Sequence, residues 1–139
     1  MAPLNQKLMN AHTAQLNLVL AWLWIVLGFG IGLFFGLHFH KEQWLGGYAS
    51  FQRRLYRLAH ISFFGLGAVN FLFYLTTRSF TRASVAVTVA SWAFVLGAVS
   101  MPLCCFALAH RPRLRALFLI PVLSLITAGS LTFWEAASL

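Results

Sequence analysis

Residues 16–37 read LNLVLAWLWIVLGFGIGLFFGL, 22 residues without a charge. About 20 consecutive apolar residues make a helix long enough to cross the hydrocarbon core of a bilayer. The run is too long for the apolar part of a signal peptide. The polar stretch before it carries Lys7 but no small-residue cleavage pattern, so it reads as a retained segment. Three further runs have the same character: 58–77, with a polar helical lead-in from Phe51, then 83–109 and 114–137. A chain in lipid must satisfy its own backbone, which demands helices or a closed barrel. Barrel strands alternate in polarity, and these runs do not. The expectation is an all-α membrane protein, one transmembrane domain with helices at about 16–37, 51–77, 83–109 and 114–137.

The composition agrees. Of 139 residues 60% are hydrophobic and 9% charged, with ten Lys and Arg against two acids, Glu42 and Glu135. Soluble domains carry about 25% charged residues, so this chain lacks the polar groups to cover a water-facing surface. Soluble enzymes, disulfide scaffolds and disordered tails are excluded. A net charge of +8 would point to nucleic acid in a soluble protein. Here the basic residues sit in clusters between apolar runs, which is the pattern of membrane topology and anionic lipid rather than nucleic acid. Cys104 and Cys105 are adjacent inside an apolar run and read as small hydrophobes.

The basic residues orient the chain. The loops after the first and third helices carry Lys41, Arg53, Arg54, Arg57, Arg111, Arg113 and Arg115; the other side carries Lys7, Arg78 and Arg82. Seven against three places the two basic loops in the cytoplasm and both termini outside. Short loops between the later helices predict an up-down-up-down bundle in the cell's inner membrane. Trp44, Tyr48 and Tyr56 suit an inner aromatic belt, and Phe80 and Trp134 an outer one. Gly28, Gly32 and Gly36 form a ridge of small residues at which another backbone can approach, within the chain or in a second protomer. Pro102 and Pro121 are expected to kink their helices. Asn70 reads as the one amide well inside a span, an interhelical bond or an ion contact, and Glu135 is placed to pair with Arg82 or Arg78.

Four of the five histidines, His38, His40, His60 and His110, fall near one membrane face. A neutral imidazole ligates haem iron, zinc or copper. At 100° per residue Arg53, Arg57, His60, Phe64, Gly67 and Phe71 share one stripe of the second helix. This is the outline of a b-type haem site, with His60 on the iron and Arg53 and Arg57 on the propionates. Gly67 leaves room for the macrocycle, Phe64 packs on it, and His110, His38 or His40 supply a sixth ligand. The same residues also suit a plain helix interface, in which the arginines mark a cytoplasmic helix end and His60 bonds a neighbour.

Gly28 to Gly36, followed by Arg54-Leu55-Tyr56-Arg57-Leu58-Ala59-His60-Ile61-Ser62-Phe63-Phe64-Gly65-Leu66-Gly67, resembles small bacterial four-helix membrane proteins similar to a fragment of cytochrome-oxidase subunit I. The resemblance covers the first half of the chain and implies His60 as a haem ligand. Leu58 and Ser62 stand where such proteins often show His-x-His, and the copper-site histidines are missing. The expected function is therefore electron transfer or a place in a respiratory complex, rather than oxygen reduction or catalysis by this chain alone. The alternatives are a cofactor-free accessory subunit docked through the glycine ridge, as a homo-oligomer or in a larger membrane complex, and a small oligomeric channel or transporter acting through Asn70.

Overall fold

The computed structural model describes residues 2–80 and 84–138, with side chains from His12 onward. Four α-helices carry the fold: α1 (Ala2–His38), α2 (Phe51–Thr77), α3 (Val85–His110) and α4 (Leu119–Ala137). Each contributes to a segment long and apolar enough to cross a membrane, which in α1 is the part from His12 to His38. The chain is thus a multi-pass integral membrane protein in contact with the lipid bilayer.

The boundaries differ from expectation at both ends of the chain. α1 begins at Ala2, so the polar arm continues the first helix. The fourth segment opens as a 3₁₀ turn over Pro112–Phe118, and α4 starts only at Leu119. Pro121 then falls in the first turn of α4, where its missing N–H breaks no helical bond. The side chain of Lys7, the residue Arg82 and the proposed Arg82–Glu135 pair lie outside the described residues. Glu135 accepts a hydrogen bond from Ser84 Oγ at the N-cap of α3.

α1 packs on α2, α2 on α3 and α3 on α4. Consecutive helices run antiparallel: Asn17 meets Asn70 near one end of the α1–α2 pair, and Phe35 meets Tyr56 near the other. Two apolar clusters fill the interior. Leu20, Trp24, Phe63, Leu66 and Ala98 join α1, α2 and α3. Phe73, Phe80, Val87, Ala90, Phe94 and Ala128 join α2, α3 and α4. Phe80 is therefore a core residue, 5% exposed, and not part of an outer belt. α4 rests chiefly on α3 and buries only Pro121 and Ala128, leaving most of its apolar surface to the surroundings.

Pro102 has a distinct consequence. It has no N–H, so the carbonyl four residues earlier, Ala98, loses its helical donor. Trp24 Nε1 on α1 donates to that carbonyl at 3.0 Å. The freed group becomes a bond between helices rather than the lining of a site.

Candidate functional site

The stripe from Arg53 to Phe71 on α2 faces α1 and the loop that follows it. His60 Nε2 donates to the main-chain carbonyl of Gly28 at 3.1 Å. A Cβ on Gly32 would lie 2.7 Å from the same Nε2, and a Cβ on Gly28 would lie 2.8 Å from the ring of Phe64. The two glycines therefore receive the imidazole and the phenyl ring of α2. At Gly67 the fit is reversed, because a Cβ there would meet the Ala21 carbonyl at 3.1 Å and Trp24 at 3.4 Å. Phe71 closes the seam with its ring 6.5 Å from Trp22. Gly36 takes no part, since nothing lies within 4 Å of its Cβ position. Helical phase explains this: each four-residue step adds 400°, a drift of about 40°, and two steps carry Gly36 off the inward face.

Arg53 and Arg57 point back to the loop. Its backbone turns through positive φ at Leu45 (54°), Gly46 (79°) and Gly47 (92°), a conformation that suits glycine and is uncommon for leucine. Ser50 then caps α2, accepting from Arg53 N and donating to the Leu45 carbonyl. The Arg53 guanidinium carbon lies 5.1 Å from the ring centroid of Phe39 and 5.7 Å from those of Trp44 and Tyr48. Arg57 sits 4.6 Å above Tyr48. These distances are in the range of cation–π attraction.

The remaining histidines do not converge on His60. His38 Nδ1 donates to the Phe34 carbonyl at 2.8 Å, its ring beside Trp44. His40 is exposed. His110 Nε2 shares a 2.9 Å hydrogen bond with the Tyr56 hydroxyl, and Tyr56 packs on Phe35, Trp44 and Phe106. These contacts build an aromatic layer across one end of the molecule, tying α1, the loop, α2 and α3 together. Among the described residues no three His, Cys, Asp or Glu side chains gather as a metal site.

In this arrangement Nε2 of His60 and the seam against α1 are not open to a haem. An Nε2 that donates to a carbonyl carries its hydrogen there and has no lone pair for iron. The α1 backbone closes on that atom at Gly32, and the space over Gly67 is filled by Ala21 and Trp24 rather than left for a macrocycle.

The sequence reading missed the principal polar cluster. Asn17, Asn70 and Ser91 are each 0% exposed and bind three helices together. Asn17 Nδ2 donates to Asn70 Oδ1 at 2.7 Å and to the Ser91 carbonyl at 3.3 Å, while Ser91 Oγ donates to Asn17 Oδ1. Asn70 Nδ2 turns to its own helix at Leu66. Among the described residues Asn70 is thus one of two buried amides, in the role of an interhelical bond. Asn17 was legible: it precedes Gly28 by 11 residues, three turns of helix, and so shares its face.

No family model matches the chain, and neither a curated protein nor a solved structure is significantly similar to it.

Proposed function

We propose that the chain is a structural or accessory subunit of an inner-membrane assembly, with its basic end toward the cytoplasm, and that it works through contact with another membrane protein rather than through haem. One observation carries this reading: His60, the best candidate ligand, gives its Nε2 hydrogen to the Gly28 carbonyl. The stripe that suggested a cofactor cleft is the packing seam between α1 and α2.

The place for a partner lies elsewhere on the surface. Gly30, Gly36 and Gly65 are exposed and have open space over their Cα atoms. Small residues at such positions let the helix of another protein approach closely. Gly28 and Gly32 are occupied within the chain, which moves the expected docking surface off the inner part of the ridge.

Two measurements test the proposal. A photo-crosslinking residue at Leu33, on the exposed side of α1, should trap a discrete membrane protein or a second copy in native membranes. Gly36→Leu should abolish that adduct without lowering the stability of the isolated chain. A reduced-minus-oxidised visible spectrum, recorded on protein expressed with haem supplied, should show no α-band. A band that His60→Ala removes would overturn the proposal in favour of haem-based electron transfer.

A further inference from the structure

We propose that Arg53, Arg57 and the Tyr48 ring form a binding site for the phosphate of an anionic phospholipid headgroup, at the N-terminus of α2. Arg53 is 5% exposed, and its buried Nε has no hydrogen-bond partner. Among the described residues the two guanidinia donate only to neutral main-chain carbonyls, Arg53 Nη2 to Phe39 at 3.4 Å and Arg57 Nη2 to Tyr48 at 3.5 Å. Both of these bonds are long, and charged guanidinium donors normally make short ones to anions. Two cations lie against one ring with no anion between them, Arg53 at 5.7 Å and Arg57 at 4.6 Å from its centroid.

The helix end adds to the field. α2 has no acid in its first turn. Ser50 serves the amides of Arg53 and Arg54, so those of Phe51 and Gln52 stay free, as first-turn amides do. These N–H groups and the positive end of the helix dipole favour a phosphate. Tyr48 is 74% exposed and forms the outer wall of the Arg53 box. A swing of this ring opens the guanidinium to a ligand.

The surroundings favour lipid over a soluble anion. Phe39 and Tyr48 are exposed against the two arginines, and Phe51 is exposed in the first turn of α2; an exposed tyrosine beside arginine suits the level of the headgroups. A phosphodiester at that level reaches both forks while its acyl chains run along the apolar face of α1.

The test uses the full chain in nanodiscs of phosphatidylcholine with and without phosphatidylglycerol. Lipid retained on release is read by native mass spectrometry, and the melting temperature is followed in parallel. The wild-type chain should retain phosphatidylglycerol in preference to phosphatidylcholine and melt higher in its presence. Arg57→Gln, at a half-buried position that leaves the Arg53 box intact, should cut retention roughly fivefold. Arg57→Lys keeps the charge but loses the fork and should fall several-fold as well. Arg113→Lys on the other basic loop should behave as wild type. Undiminished preference in both Arg57 variants would overturn the site. Equal loss in Arg113→Lys would also overturn it, by showing dependence on arginine anywhere on that face. Full displacement of the lipid by inorganic phosphate or by an acidic peptide would overturn the lipid assignment.

Discussion

Asn17 should matter more to stability than Asn70, although Asn70 lies in the more conspicuous position in the sequence. Asn17 takes part in three interhelical hydrogen bonds, two donated by Nδ2 and one accepted by Oδ1. Asn70 takes part in one of these, and its own Nδ2 bonds within α2. Interhelical side-chain bonds in membrane proteins average about 0.6 kcal/mol and reach about 1.7. Asn17→Ala therefore removes about 2 kcal/mol in bonds, with a further contribution from the cavity left at a fully buried site. Asn70→Ala removes one such bond, about 0.6–1 kcal/mol, and leaves a similar cavity at a site that is equally buried, so the difference between the two rests on the bonds. Ser91 Oγ keeps the Thr13 carbonyl at 3.2 Å as an alternative acceptor, so it is not orphaned when Asn17 is lost. The double variant should cost less than the sum of the singles by about the shared Asn17–Asn70 bond. The assay is SDS-driven unfolding from mild-detergent micelles, followed by tryptophan fluorescence. Equal losses from the two single variants, or strict additivity, would refute the assignment of Asn17 as the hub. A larger loss from Asn70 would refute it too, and would revive a role for that amide in an ion path.

The glycines should divide by position. Gly32→Ala forces a Cβ to within 2.7 Å of His60 Nε2 and should destabilise by about 1–3 kcal/mol; Gly36→Ala has open space and should be neutral or slightly stabilising. Matching losses in the same SDS titration would mean that helical phase does not separate them. Trp24→Phe leaves the Ala98 carbonyl with neither its helical donor, absent because of Pro102, nor the indole N–H. It should cost about 1–2 kcal/mol, and Pro102→Ala in the same background should recover part of that loss. No recovery would show that the carbonyl is satisfied in some other way.

The architecture was legible because it depends on quantities a sequence displays directly. Four predominantly apolar runs of spanning length fix the number of helices, and lipid admits few alternatives. Helix ends were less legible. Nothing in residues 2–15 forbids helix, so α1 extends beyond its apolar part. The 3₁₀ turn at Pro112–Phe118 follows from a proline at its first position and the reversal of the chain there, not from hydropathy.

The site was legible in angle and misleading in partner. Helical phase correctly groups Arg53, Arg57, His60, Phe64, Gly67 and Phe71 on one face, because 100° per residue is a property of the helix alone. What opposes that face is a property of the fold. A histidine, a phenylalanine and a small residue in line complement a flat macrocycle, but they complement a glycine-bearing helix equally well. The information that separates the two lay on α1. Asn17, Trp24, Gly28 and Phe35 fall on one side of it, and all four are buried. Reading the two stripes together pairs each bulky group with a gap: His60 with Gly32, Phe64 with Gly28, and Gly67 with the Ala21 backbone. Such reciprocal fitting is what close packing of two helices requires. A cofactor cleft would instead need gaps facing gaps along the seam, and the opposed positions on α1 and α2 are complementary rather than alike.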